Sequence, residues 1–452
     1  MLGSIRVKKE FLLTAGVVVV TLALTLATIR WLAPGLLGVP ADLQLVRVSK
    51  EVPPFFENAF RSNDKGGEDG LLPDPLTRVR MPSFYPDRGG MGPHDLLGFR
   101  NRAVPNVADI VVIGDSQTYG NNAWLEENWP SHMRNGLGRK LPLVYNMSVG
   151  GWGAVQYLNM LKYATQFRPK VVVVAFYSGN DSLESFALAY ASKEWAFLRV
   201  DAKLRPADGP KVVFPPPENE WWKVEFGDGT RTVFTPRLRY GSNDPSEPAV
   251  RAGYGILREA ARLMAEHAQR ANIKLVMTVI PTKELAYRKK VAGLPSAPAQ
   301  DYAQLVQAEA QNIAAFAAAI APLPGATYVD VVGALQEAAL GSQPIYPDEA
   351  DGHPIAAGYR VIGKAIAQAV DPILRDRPVG LVAYSVEHDK YSLSLINHEG
   401  VWRVSDLRLL TANGWGDNLN IERVDYRDIA TLPSMGTLTE VDRERFGPRS
   451  SR

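Results

Sequence analysis

The run Ile110-Val111-Val112-Ile113 constrains this chain more than any other stretch. Continuous β-branched residues without polar alternation suit a strand buried on both faces, as in a parallel sheet. Gly114 ends the run, and Asp115 and Ser116 follow at once. Open α/β sheets bind ligands just beyond the carboxyl ends of their strands. Ser116 is therefore a candidate nucleophile, provided the chain supplies its partners.

Strand and helix patterns alternate through the centre of the sequence. Leu143 to Met147 reads as a strand, Ala154 to Phe167 as a helix, and Lys170 to Tyr177 as a second fully apolar strand. Ser182 to Leu198 is read as helix. Alternation stops between about 199 and 248, a stretch rich in Pro, Gly, Trp and charge, read as an insertion of loops and short strands. Its Trp221-Trp222 pair suits either a sugar-stacking platform or a small local core. Alternation then resumes. Tyr254, Leu257, Ala261, Met264 and Ala268 mark one helix face. Lys274 to Ile280 and Thr327 to Val332 read as strands, Gln304 to Ala319 as a helix, and Ile355, Tyr359, Ile362 and Ile366 mark a last helix. Such alternation predicts an α/β domain over 96–376 with a central five-stranded parallel sheet covered on both faces. With right-handed crossovers, the flavodoxin-like order 2-1-3-4-5 is the expected topology.

The flanks differ. Arg6, Lys8 and Lys9 precede an uncharged apolar run from Phe11 to Ile29. At about 1.5 Å per residue this run just spans a bilayer core of about 30 Å. The basic flank places the N-terminus (residues 1–30 with the span) in the cytoplasm and the rest outside it. A cleaved signal peptide is the alternative, but the run is long for one and lacks a clear small-x-small site. Residues 31–95 show no sustained period and read as a tether and irregular lead-in. From about Gly380 the period becomes two, with Tyr391, Leu393 and Leu395, then a turn, then Trp402 and Val404. Residues 377–452 are thus expected to form a small β-rich appendage, whose simplest role is to cover a sheet edge. A net charge of +2 argues against a nucleic-acid partner. With no cysteine, disulfides and thiolate chemistry are excluded. No metal-ligand cluster or phosphate-binding glycine loop is evident, so no cofactor is expected.

A serine hydroxyl needs a base and donors for the oxyanion. Asn146-Met147-Ser148-Val149-Gly150-Gly151 and Ser178-Gly179-Asn180-Asp181 both follow predicted core strands and open onto the edge that holds Ser116. Their glycines and asparagines are suitable donors. Of six histidines, His267 and His132 fall in helices, His94 in the lead-in, and His388 and His398 in the appendage. His353 remains, between the last core strand and the last helix, in Asp348-Glu349-Ala350-Asp351-Gly352-His353-Pro354. Asp348 and Asp351 both compete to orient it. Asp115 could equally be a turn and cap residue.

Gly114-Asp115-Ser116, Gly151, Gly179-Asn180-Asp181 and Asp351-Gly352-His353-Pro354 together resemble the four blocks of the SGNH/GDSL hydrolase superfamily, over about Leu96 to Val370. The resemblance implies a flavodoxin-like α/β/α fold and hydrolysis or transfer of acyl esters. It also implies Ser116 as nucleophile, His353 as base, and the Ser116 N–H, Gly151 and Asn180 as oxyanion donors. The commonest pattern has its acid three residues before the histidine, where this chain has Ala350. Asp351, two before, resembles the D-x-H arrangement of membrane-associated polysaccharide O-acetyltransferases, as do Gly98-Phe99-Arg100-Asn101 and the N-terminal anchor. The expected protein is a membrane-anchored periplasmic hydrolase or O-acetyltransferase acting on an O-acylated glycan or similar ester. The competing expectation is an accessory subunit docked on a larger membrane complex.

Overall fold

Five parallel strands form the central sheet: β1 (Ile110–Gly114), β2 (Val144–Ser148), β3 (Val171–Tyr177), β4 (Lys274–Ile280) and β5 (Ala326–Val329). Their order is 2-1-3-4-5, as the alternation predicts. Every residue of β1 and β3 is buried, which requires cover on both faces. The register sets Gly114 beside Ser148 on one side and Ala175 on the other, so β1 and β2 end level at the carboxyl edge and β3 runs two residues further, to Tyr177.

The computed structural model describes residues 71–448, except 75, 89, 106, 141, 211–214, 297, 375–379, 388–389, 398, 417–420, 425 and 430–431, together with Thr21, Leu24 and Thr25. Apart from those three residues, the predicted membrane run Phe11 to Ile29 lies outside the described residues, as do His388 and His398. Among the described residues, no helix is long and apolar enough to cross a membrane.

A short helix α1 (Ser116–Tyr119) follows β1, and α2 (Trp129–Gly136) opens with Pro130 in its first turn. The crossover helices α3 (Ala154–Ala164), α4 (Asp181–Ala191) and α5 (Pro248–Arg270) pack on one another, while α2 packs on α7 (Ala356–Val370). Between them in sequence, α6 (Gln300–Ile320) packs on α5. The predicted helix from Ser182 to Leu198 ends at Ala191, and only a 3-10 turn at Ala196–Leu198 continues it.

The lead-in is more ordered than its sequence indicates. Leu72–Asp74 pairs with Arg78–Arg80 in a two-stranded ribbon, and Met81, Leu97, Phe99, Val104 and Ala108 enter the main core. Asn101 completes the cover of the sheet edge. Its Nδ2 donates to Asn146 O at 2.9 Å, and its Oδ1 accepts from Asn146 N at 3.0 Å, so it pairs with β2 as a further strand would.

The inserted segment carries a hairpin, Trp222–Glu225 with Arg231–Phe234, and a short helix, Pro236–Tyr240. Trp222 packs against Phe234 and Tyr302, with ring centroids 5.4 and 4.9 Å away, which favours the local-core reading of that tryptophan. The C-terminal segment forms a separate five-stranded sheet with its own apolar clusters, around Leu381, Leu395 and Trp402 and around Val382, Ile396 and Ile429. A cavity of about 600 Å³ separates it from β2, lined by Asn101, Arg134, Val144, Tyr384 and Leu432 among others, and by no residue of the Ser116 site.

Candidate active site

The chain places Ser116 at the first position of α1, directly after β1. Asp115 caps that helix, its carboxylate accepting from Gln117 N at 2.9 Å, so the cap role considered for it is the one the geometry supports. Ser116 Oγ lies 2.8 Å from His353 Nε2, and His353 Nδ1 lies 2.7 Å from Asp351 Oδ1. Three groups from two distant segments thus form one continuous relay. Asp348, the competing acid, is exposed.

Protonation follows from the partners. Burial pushes the Asp351 carboxyl up. The hydrogen bonds and charge of His353, with a further bond from Asn122, outweigh that and hold it well below the usual carboxylate range. An ionised carboxylate only accepts, so His353 Nδ1 carries the proton and Nε2 is free to accept from Ser116 Oγ–H. The loop is fixed by other bonds. His353 N donates to Asp351 Oδ1 at 2.9 Å, Asn122 Nδ2 to Asp351 Oδ2 at 2.9 Å, and Gln117 Nε2 to Gly352 O at 3.3 Å. Asn122 adopts φ 66°, a left-handed conformation that asparagine tolerates better than most residues.

The donor side lies on the two neighbouring loops. A Cβ on Gly150 would sit 3.7 Å from Ser116 Cβ, and Gly151 follows with φ +76° and open space around its Cα. Asn180 caps α4, makes no side-chain cap bond, and leaves its buried Oδ1 without a partner. Asp181 shapes that loop. Its carboxylate accepts from Tyr177 N at 3.0 Å and from Tyr157 Oη at 3.2 Å.

The other described histidines are committed elsewhere or lie on helices. His94 spends Nδ1 on Pro82 O and Nε2 on Tyr119 Oη, and burial with the nearby Arg100 charge lowers its pKa to about 4. His132 lies in α2 and His267 in α5.

One supporting residue carries no sequence signal of its role. Arg100 is fully buried and donates from Nη1 to Tyr119 O and Gly120 O, from Nη2 to Ala123 O, and from Nε to Gly92 O. It satisfies the carbonyls at the end of α1, where a cation is favoured. The helix bearing Ser116 is thereby tied to the lead-in.

Residues 112–361 match the model of the GDSL-like lipase/acylhydrolase family, more than half of the chain. The chain belongs to that family. It is an ester hydrolase by that membership. None of the curated proteins matches it. Similar solved structures include a GDSL-like lipase from Bacteroides thetaiotaomicron (18% identity, 59% of this chain and 88% of that one, TM-score 0.29). Others are the esterase EstA from Pseudoalteromonas sp. (11%, 58% and 97%, TM-score 0.29) and an extracellular lipase from Streptomyces rimosus (14%, 59% and 100%, TM-score 0.31). At those TM-scores the likenesses carry no argument of their own, and the family rests on the sequence model.

Proposed function

We propose that this GDSL hydrolase cleaves or transfers the acyl group of an O-acylated glycan or similar ester, with Ser116 as nucleophile, His353 as base and Asp351 as the orienting acid. The observation that carries the reading is the unbroken relay of 2.8 and 2.7 Å from Ser116 Oγ through the imidazole to the carboxylate. As Oγ attacks the ester carbonyl carbon, its proton passes to Nε2. The resulting oxyanion is held by the Ser116 and Gly151 N–H groups and the Asn180 amide. Collapse expels the alcohol, which takes the proton from Nε2 and leaves an acyl-serine. Water, or the hydroxyl of an acceptor, then repeats the sequence and restores Ser116. Asp351 stays ionised throughout and stabilises the imidazolium.

The location is part of the proposal. The basic residues before Phe11 and the apolar run to Ile29 support a single anchor, with the catalytic domain on the periplasmic or extracellular side. Release of the full-length protein by carbonate wash would overturn the anchor. Turnover of an acetyl ester is the test of the site. Ser116→Ala should abolish it while leaving the far-UV spectrum and Tm unchanged, since only one oxygen at a strand end is removed. Equal activity in the variant would refute the assignment. Faster turnover on adding an oligosaccharide acceptor, with an acetylated product, would mark a transferase.

A further inference from the structure

A guanidinium with no ion pair or side-chain hydrogen bond among the described residues stands beside this relay, over the ring of Tyr177. Arg239 lies on the short helix Pro236–Tyr240 within the inserted segment. A Cβ built on Gly352, the residue joining Asp351 to His353, would lie 2.7 Å from Arg239 Nη2 and 3.3 Å from Tyr177 Oη. Arg239 Cζ lies 5.8 Å from the centroid of the Tyr177 ring. A Cβ on Gly179, next to Asn180, would lie 2.5 Å from Tyr177 Oη. Arg239 and Tyr177 thus occupy the gap between the loop of the relay acid and base and the loop of the Asn180 donor.

Both are poorly satisfied. Arg239 Nε and Tyr177 Oη are buried without a hydrogen-bond partner, and among the described residues the guanidinium makes no ion pair. Two of the three neighbouring carboxylates are fully engaged, while Glu284 keeps Oε2 buried without a hydrogen-bond partner. Asp351 serves His353 and Asn122, Glu284 Oε1 accepts from Thr235 N at 2.7 Å, and Glu309 holds Ser178 and Thr282. The contrast lies within the same molecule. Arg100, fully buried, spends its donors on four carbonyls, and Lys283 donates to Glu349 O. Arg239 as a residue is half-buried and its Nε is the donor cut off from solvent; a buried N–H left open is costly, and folds retain such a cost where a ligand meets it. Burial pulls the Arg239 pKa down, and its interactions with Tyr177, Glu284, Asp351 and Glu309 raise it overall, so the guanidinium stays ionised.

We propose that Arg239 is a specificity-determining residue that pairs with a carboxylate of the substrate, so that the ester taken by this site carries a negative charge on its acyl or its alcohol part. The inference rests on the reading of Ser116 and His353 as the reacting pair. A guanidinium offers two parallel N–H donors that match a carboxylate, with a geometry a lysine lacks. A carboxylate bound there sits next to the reacting groups and locks the ester in register with Ser116 Oγ.

Two matched pairs of esters test this. 4-Nitrophenyl acetate against 4-nitrophenyl hemisuccinate varies charge on the acyl side. Methyl 4-acetoxybenzoate against 4-acetoxybenzoate varies it on the alcohol side. The readout is the ratio of kcat/KM, anionic over neutral, in the parent, Arg239→Gln and Arg239→Lys. In one pair, Arg239→Gln should lower the ratio by at least about tenfold, mainly through KM, with partial recovery in Arg239→Lys. The responding pair identifies which part of the ester carries the charge. A ratio unchanged in both pairs, even with a common loss of rate, would mean that Arg239 acts only on the Asp351 loop and would overturn the proposal. A second readout needs no turnover. Millimolar succinate or 4-hydroxybenzoate should raise the Tm of the parent and not that of Arg239→Gln. If the parent cleaves no ester, the catalytic reading has failed, and the thermal shift alone decides the carboxylate site. No shift in the parent would then reject it.

Discussion

Asp351→Asn should slow ester turnover by about 10²–10³, less than the ~10⁴ lost when such a change reverses the tautomer of the base. The structure supplies the reason. Asp351 Oδ1 accepts both the His353 side-chain Nδ1–H and the His353 backbone N–H. The backbone group can only donate. An asparagine must therefore keep its oxygen at that position, and Nδ1 keeps its proton. The new amide NH2 falls where Oδ2 accepted from Asn122, and rotation of the Asn122 amide relieves that clash at the expense of its weak contact with His353 O. The loss is then mainly that of the negative charge opposite the imidazolium. At about 4 Å and an effective dielectric near 20, that attraction is about 4 kcal/mol, or roughly a thousandfold. The side chains of His353 and Asp351 are 21% and 33% exposed, so solvent screening reduces it toward the lower figure. Steady-state kinetics on an acetyl ester, with Tm as a control for folding, measures the change. Asp348→Asn should do little. A loss below about threefold in Asp351→Asn, or inactivation by Asp348→Asn instead, would refute the reasoning.

Asn180→Ala should lower kcat by about 10²–10³ with little change in Tm, as expected for one oxyanion donor; a change confined to KM would remove it from that role. Arg100→Met should cost at least about 3 kcal/mol in urea unfolding, because it strands buried carbonyls at the end of α1; a cost below 1 kcal/mol would show that water replaces it. Burial raises the Glu309 pKa from 4.5 to about 7, so between those values the folded protein holds a proton that the unfolded chain has lost, and stability falls as pH rises through that window. Glu309→Gln, which keeps an acceptor for Ser178 and Thr282, should match the parent below pH 4.5 and become progressively more stable than it up to about pH 7; a constant difference across that range would contradict the assignment.

What the sequence makes legible here is what repeats at a fixed offset from a strand. Fully apolar runs identify β1 and β3, and parallel strands bring whatever follows them onto one edge. Ser116 and the two donor loops are read from that rule, the Gly151 and Asn180 roles are what the family resemblance implies, and His353 is reached by elimination among six histidines. The choice between Asp348 and Asp351 is not of this kind. Both are near in sequence; the D-x-H resemblance points to Asp351, and the fold of Asp351-Gly352-His353 turns that carboxylate back to the imidazole. Asn122 is harder still, because its aim depends on a left-handed backbone that nothing before or after it announces.

The two arginines mark the same limit more sharply. Arg100 stands in the irregular lead-in and Arg239 in a loop-rich insertion, and neither position has a period that points inward. Each acquires its role from backbone delivered by another segment: the end of α1 for Arg100, and the acid–base loop around Gly352 for Arg239. The difference between them is in their bonds. Arg100 meets carbonyls and is complete, so its effect is to hold Ser116 in place. Arg239 lies against Gly352 and over the Tyr177 ring, a cation–π contact that uses no N–H donor, and its Nε is left without a partner. A segment that looks like an addition to an ester-cleaving domain thus folds one open charge against its centre. That places the selection of substrate in the insertion, and the chemistry in the strand ends that the family shares.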